Sequence, residues 1–151
     1  MKRLLICLLT LTLLYFCGCK EEEETKPSID TTFETEMNEI CETIAKLDEE
    51  MNSIQPGTEQ ACSDMLNQLN TMEDAFEQFA SLHYPEDFSY LKQYADEAHD
   101  YMTEAVSVYR EIYSQTEYDS EKDEYAIENY RRAFKRMQAI LAVLRGEDPN
   151  K

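Results

Sequence analysis

An all-α fold, specifically an antiparallel up-down four-helix bundle with heptad-like packing, is what three features of this 151-residue chain predict. Glycine and proline are scarce, three and four respectively, and every one falls where a helix would have to stop. Between these breaks the apolar residues recur in alternating steps of three and four, the a and d spacing of heptads. Residues able to cap helix ends stand beside the same breaks.

The first stripe is Phe33, Met37, Ile40, Ile44, Leu47, Met51 and Ile54, on a helix expected over 31–54 and opened by a capping box of Thr31 with Glu34. Pro56 and Gly57 end it. A second helix over 58–82, capped by Thr58, carries Cys62, Met65, Leu69, Met72, Phe76 and Phe79. Pro85 suits the first turn of a third helix over 86–116, with Phe88, Leu91, Ala95, Ala98, Met102, Ala105, Tyr109 and Ile112 on its seam. The fourth, over 121–145, has a box of Ser120 with Asp123 and the stripe Ala126, Tyr130, Ala133, Met137, Ile140 and Leu144. Ile127, Phe134 and Leu141 widen that stripe, and Gly146 is its natural stop. The third heptad phase runs on into the fourth through Thr116, Asp119 and Asp123, but these three polar seam positions favour a turn over one helix of about 90 Å. Short loops then make neighbouring helices antiparallel.

The amino terminus has a different character. Lys2 and Arg3 precede 13 uncharged residues, Leu4 to Phe16, which is signal-peptide length and short of the roughly 20 residues that cross a bilayer. The stretch "FCGCKEEEE", with Leu13 and Leu14 before it, resembles the lipobox of bacterial lipoproteins. That resemblance implies cleavage between Gly18 and Cys19 and a diacylglycerol on the Cys19 sulfur, so that two acyl chains hold the protein to a membrane. The expected organisation is a signal peptide 1–18, an acidic tether 19–30, a bundle 31–146 and a tail 147–151. The anchored chain would sit on the extracytoplasmic face. The "YPEDF" and "ENYRRAFKRMQAILAVLRGE" segments are in turn similar to short helical lipoproteins of gut Firmicutes, a group that brings no activity with it.

Removal of residues 1–18 leaves 12 basic side chains against 32 acids, a formal charge of −20. Such a surface repels nucleic acid, so no nucleic-acid partner is expected. The remaining pair, Cys41 and Cys62, differ by about nine residues of rise in the first hairpin, roughly 13 Å, beyond the roughly 7 Å that a disulfide tolerates. Two small buried thiols are the expectation.

Functional chemistry is sparse, and no nucleophile, base and oxyanion donors can be named together. A non-enzymatic module without a cofactor is therefore expected, one that binds an envelope protein or wall component. Its candidate surface is Tyr94 and Tyr101 with the basic collar Arg131, Arg132, Lys135 and Arg136, because Tyr and Arg are enriched at binding hot spots. The same collar could instead pair with acidic flanks of neighbouring helices, since residues 27–121 hold Lys46, Lys92 and Arg110 against 23 acids. A second possibility is a small-ligand or divalent-metal bundle that uses Asp96, His99, Asp100 and Glu104 of "YADEAHDYMTE". A di-iron site would need a further Glu-x-x-His copy, which is absent from the sequence.

Overall fold

The computed structural model describes residues 29–55, 59–114 and 118–148. The lipobox, Cys19, most of the acidic tether, the Pro56-Gly57 break and the Thr58 cap lie outside them. Among the described residues the chain forms four α-helices and one short 3₁₀ turn, with no strand: α1 (Thr31–Ser53), α2 (Glu59–Ser81), the turn Glu86–Phe88, α3 (Leu91–Ser114) and α4 (Ser120–Leu144). Consecutive helices pack on one another, and one apolar core joins all four.

The heptad residues supply that core. On α1, Phe33, Met37, Cys41, Ile44, Leu47 and Met51 are buried. Ile40, expected on the seam, is half-buried and Cys41 takes its place, a step of four where three was expected. The cap also moves. Asp30, in extended backbone, accepts a hydrogen bond from the Thr32 N–H at 3.2 Å, while Thr31 is already helical and its carbonyl accepts from the Thr35 hydroxyl. An aspartate one residue earlier adds negative charge at the positive end of the helix, so it displaces the Thr31–Glu34 box.

Helix α2 enters the core only from Leu69 onward, with Met72, Phe76 and Phe79 following in register. Cys62 is exposed, contrary to the expectation of two buried thiols. Glu50, in the last turn of α1, accepts from Gln68 of α2 at 3.1 Å, one residue before the buried stripe of α2 begins. Both thiols are free. Burial pushes the Cys41 thiol up to about 12, against the opposing charge of Arg145.

After α2, Tyr84 is buried with its ring 5.3 Å from that of Phe33, and its hydroxyl donates to the Phe79 carbonyl at 3.4 Å. Pro85 starts the 3₁₀ turn rather than an α-helix, and α3 proper begins at Leu91, five residues later than expected. Its whole predicted seam is buried, together with Val106.

Helices α3 and α4 are separate. Asp119 caps α4, accepting from the Glu121 and Lys122 N–H groups at 3.1 Å each. Asp123, expected in a box with Ser120, instead turns inward to 8% exposure and accepts from the Tyr118 hydroxyl at 2.6 Å. That bond, more than any other influence, pushes Tyr118 up to about 12. At the far end Gly146 adopts φ 75°, and the Gly146 and Glu147 N–H groups donate to the Val143 and Ala142 carbonyls at 2.9 and 2.8 Å, a Schellman stop.

Fully buried alanines recur on both α3 and α4. Ala95, Ala98 and Ala105 on α3 and Ala126 and Ala133 on α4 have no exposure at all. The small side chains at these positions, between larger ones such as Met102 and Met137, leave room for the two helices to pack closely.

Helix α4 also reaches α1, through a bond of 2.8 Å from the Tyr130 hydroxyl to Asp48 Oδ1. Burial raises the Asp48 pKa above its ordinary 3.8, and the Tyr130 bond opposes the rise. A raised acid is favoured in its neutral form by folding. Its contribution is complete below pH 3.8 and is lost as pH climbs through the folded value. Asp48→Asn, which keeps an acceptor for Tyr130 without the charge, should therefore be more stable than the parent in urea unfolding at pH 7. The advantage should vanish near pH 3; an equal advantage at both pH values would refute the assignment.

Candidate functional site

On the flank of the alanine seam, the residues of α3 and α4 form a ladder of cross-helix pairs. Lys122 Nζ meets Glu111 Oε2 at 2.6 Å, and the Tyr125 hydroxyl donates to Glu104 at 3.1 Å. The Arg132 guanidinium stands 5.7 Å over the Tyr101 ring, and that of Arg136 stands 5.5 Å over Tyr94. Both distances fall within cation–π range. Arg136 Nε also lies 2.7 Å from Glu97 Oε2, although that buried oxygen accepts no well-directed hydrogen bond, so the contact is ionic. Arg132 is shared with Glu128 on its own helix at 3.1 Å.

Four of the six residues proposed from sequence as a binding surface are thus brought together as two Tyr–Arg stacks. Arg131 and Lys135 are not part of them. Both are exposed, and neither forms an ion pair among the described residues. The collar therefore divides. Arg136 does neutralise an acid of the neighbouring helix, as the alternative reading of the collar had it, whereas Arg131 and Lys135 remain open to solvent.

The stacks are accessible. Tyr94 is 40% exposed, Tyr90 a turn before it 57%, and Tyr125 further along 51%. Tyr90 and Tyr125 lie outside the surface expected from sequence, because a heptad register alone does not say which flank faces solvent. Tyr109 and Tyr113 stack on each other at 6.2 Å, the former buried and the latter half-buried, and burial raises both hydroxyls.

The metal reading loses its geometry. Asp96 is paired with Lys92, Glu104 accepts from Tyr125, and His99 and Asp100 stay on the same helix without a ligand from another. Among the described residues no three His, Cys, Asp or Glu side chains are placed to share an ion. His83 is exposed in the loop before α3.

A small cleft opens between the start of α1 and the end of α4, lined by Ile29, Phe33, Met37, Leu141 and Leu144 with Arg145 at its rim. It holds about 30 Å³, far below the few hundred Å³ of a small-molecule site. No protein-family model matches this chain, and no curated protein or solved structure matches it either. Among the described residues no helix is long and apolar enough to cross a membrane.

Proposed function

We propose that this chain is a lipid-anchored lipoprotein on the extracytoplasmic face, and that its helices form an antiparallel up-down bundle that binds an envelope protein or wall component without catalysing a reaction. The Tyr94–Arg136 and Tyr101–Arg132 stacks are the observation that carries the binding reading. Each joins a flat aromatic face to a planar cation, both partly solvent-exposed and already held in place by a rigid pair of helices, so little side-chain freedom is lost on contact.

The antiparallel, heptad-like arrangement draws support from the order of the pairs. Glu111–Lys122, Glu104–Tyr125, Tyr101–Arg132 and Glu97–Arg136 step backward along α3 as they step forward along α4. Cys41, buried and strongly biased toward its protonated form, offers no reactive thiolate. The anchor rests on the lipobox resemblance at Gly18 and Cys19.

Two measurements test this reading. Metabolic labelling with an alkyne fatty acid should mark the protein, and Cys19→Ser should lose the label and retain the leader; label persisting in that variant would remove Cys19 as the attachment point. A photo-cross-linking amino acid at Tyr90, beside the stacks, should give a discrete adduct in intact cells. The Tyr94→Ala, Tyr101→Ala double variant should keep its helical circular dichroism and lose that adduct. An adduct unchanged by the double substitution would rule out the stacks as the binding surface.

A further inference from the structure

The open half of the basic collar lies on a strip of α4 that ends where the acidic amino-terminal segment joins the bundle. Arg131, Gln138 and Arg145 follow one another at steps of seven, with Lys135 four residues from Arg131, so these four share one side of the helix. Arg131, Lys135 and Arg145 are exposed, and none forms an ion pair with a carboxylate among the described residues. Glu128, one turn before Arg131 on α4, pairs with Arg132, and Glu34 of α1 lines the same cleft as Arg145. On a chain this acidic, a row of three cations with no ion pair among the described residues calls for an anionic partner.

Ile29 fixes where the amino-terminal segment meets this strip, because it sits in the cleft with Leu141, Leu144 and Arg145. Counting back, Glu24 is five residues from Ile29 and Glu21 eight. At about 3.3 Å per extended residue these reach about 17 and 26 Å. Along α4, Lys135 is ten residues from Arg145 and Arg131 fourteen, or about 15 and 21 Å at 1.5 Å per residue. The four consecutive glutamates therefore match the cations both in sign and in distance from their common starting point.

We propose that the Glu21–Glu24 run docks on the Arg131–Lys135–Arg145 strip of its own chain, lying along the outside of α4. The contact is made of exposed charge pairs, so it weakens with salt, and it opens when the segment is drawn out. It does not depend on the tyrosine stacks having a partner.

Cysteine trapping in the full-length protein tests it. In a background with Cys7, Cys17, Cys19 and Cys62 replaced by Ser, and with Cys41 buried, Glu24→Cys is combined with Gln138→Cys, which leaves every cation of the strip in place. The comparison pair combines Glu24→Cys with Glu42→Cys, an exposed site on α1 about 20 Å from Ile29 at 1.5 Å per residue. Under mild oxidation at low salt, the Gln138 pair should bridge within the chain at least about tenfold faster than the Glu42 pair. Arg131→Gln with Lys135→Gln, or 1 M salt, should each remove that preference. Equal rates for the two pairs, or a preference indifferent to salt and to loss of the cations, would overturn the proposal.

Discussion

Phe76→Ala should cost about 3 to 5 kcal/mol of folding stability, the range for removing a large buried aromatic. The ring is fully buried on α2, and it meets Phe79 edge-on at 6.4 Å and Phe134 of α4 at 5.5 Å. Phe134 in turn stacks on Tyr130 at 4.9 Å, and Tyr130 bonds to Asp48 of α1. Truncation at Phe76 thus opens a cavity at a point where α2 and α4 meet and from which contacts continue to α1. Since a domain of this size has only about 5 to 15 kcal/mol in total, the variant should unfold at a markedly lower urea midpoint, followed by circular dichroism. A loss below about 1 kcal/mol would mean that the ring is not central to the core.

Ala98→Leu should be the most damaging change on the candidate site's own support. Ala98 has no exposure and lies between Tyr94 and Tyr101 on α3, at the seam where methyl groups let α4 come close. Leucine adds three heavy atoms where there is no space. Overpacking of this kind costs about 1 to 3 kcal/mol, and here relief requires the two helices to separate. Separation lengthens the 5.5 and 5.7 Å stacks of Arg136 on Tyr94 and Arg132 on Tyr101. The expected result is a lower melting temperature together with loss of the cross-linked adduct at Tyr90. Ala98→Ser, nearly isosteric, should keep both. An Ala98→Leu protein as stable as the parent would show that the helices are not held at alanine distance.

The buried stripes of all four helices could be read in the sequence, because a three-four alternation of apolar residues leaves few ways to cover them other than by packing helix on helix. Where the reading missed, the cause was short-range competition or the height of one helix against another. Asp30 and Asp119 took the capping positions one residue ahead of the threonine and serine assigned to them, because either residue type can cap and a carboxylate also meets the helix dipole favourably. Cys62 kept the right period yet is exposed, because periodicity says which side of a helix is apolar and not how far along it a neighbour extends. Asp123 looked like a capping partner and became a buried acceptor, because Tyr118 in the preceding turn supplies a hydroxyl that local pattern does not reveal.

The candidate site divides along the same line. Tyrosines at Tyr94 and Tyr101 and a basic cluster at 131–136 were visible as residue types at helical spacing. Which arginine meets which ring was not, since that depends on the relative height of α3 and α4. By itself the sequence determined the helical class, most residues of the core and the concentration of positive charge on the last helix, all of them consequences of local periodicity and composition. Only the tertiary structure decided that two of those arginines lie over tyrosines while Arg131 and Lys135 form no ion pair among the described residues. Which residues meet depends on how closely α3 and α4 approach and on their relative height, so a cross-helix pair follows from packing that no single helix encodes.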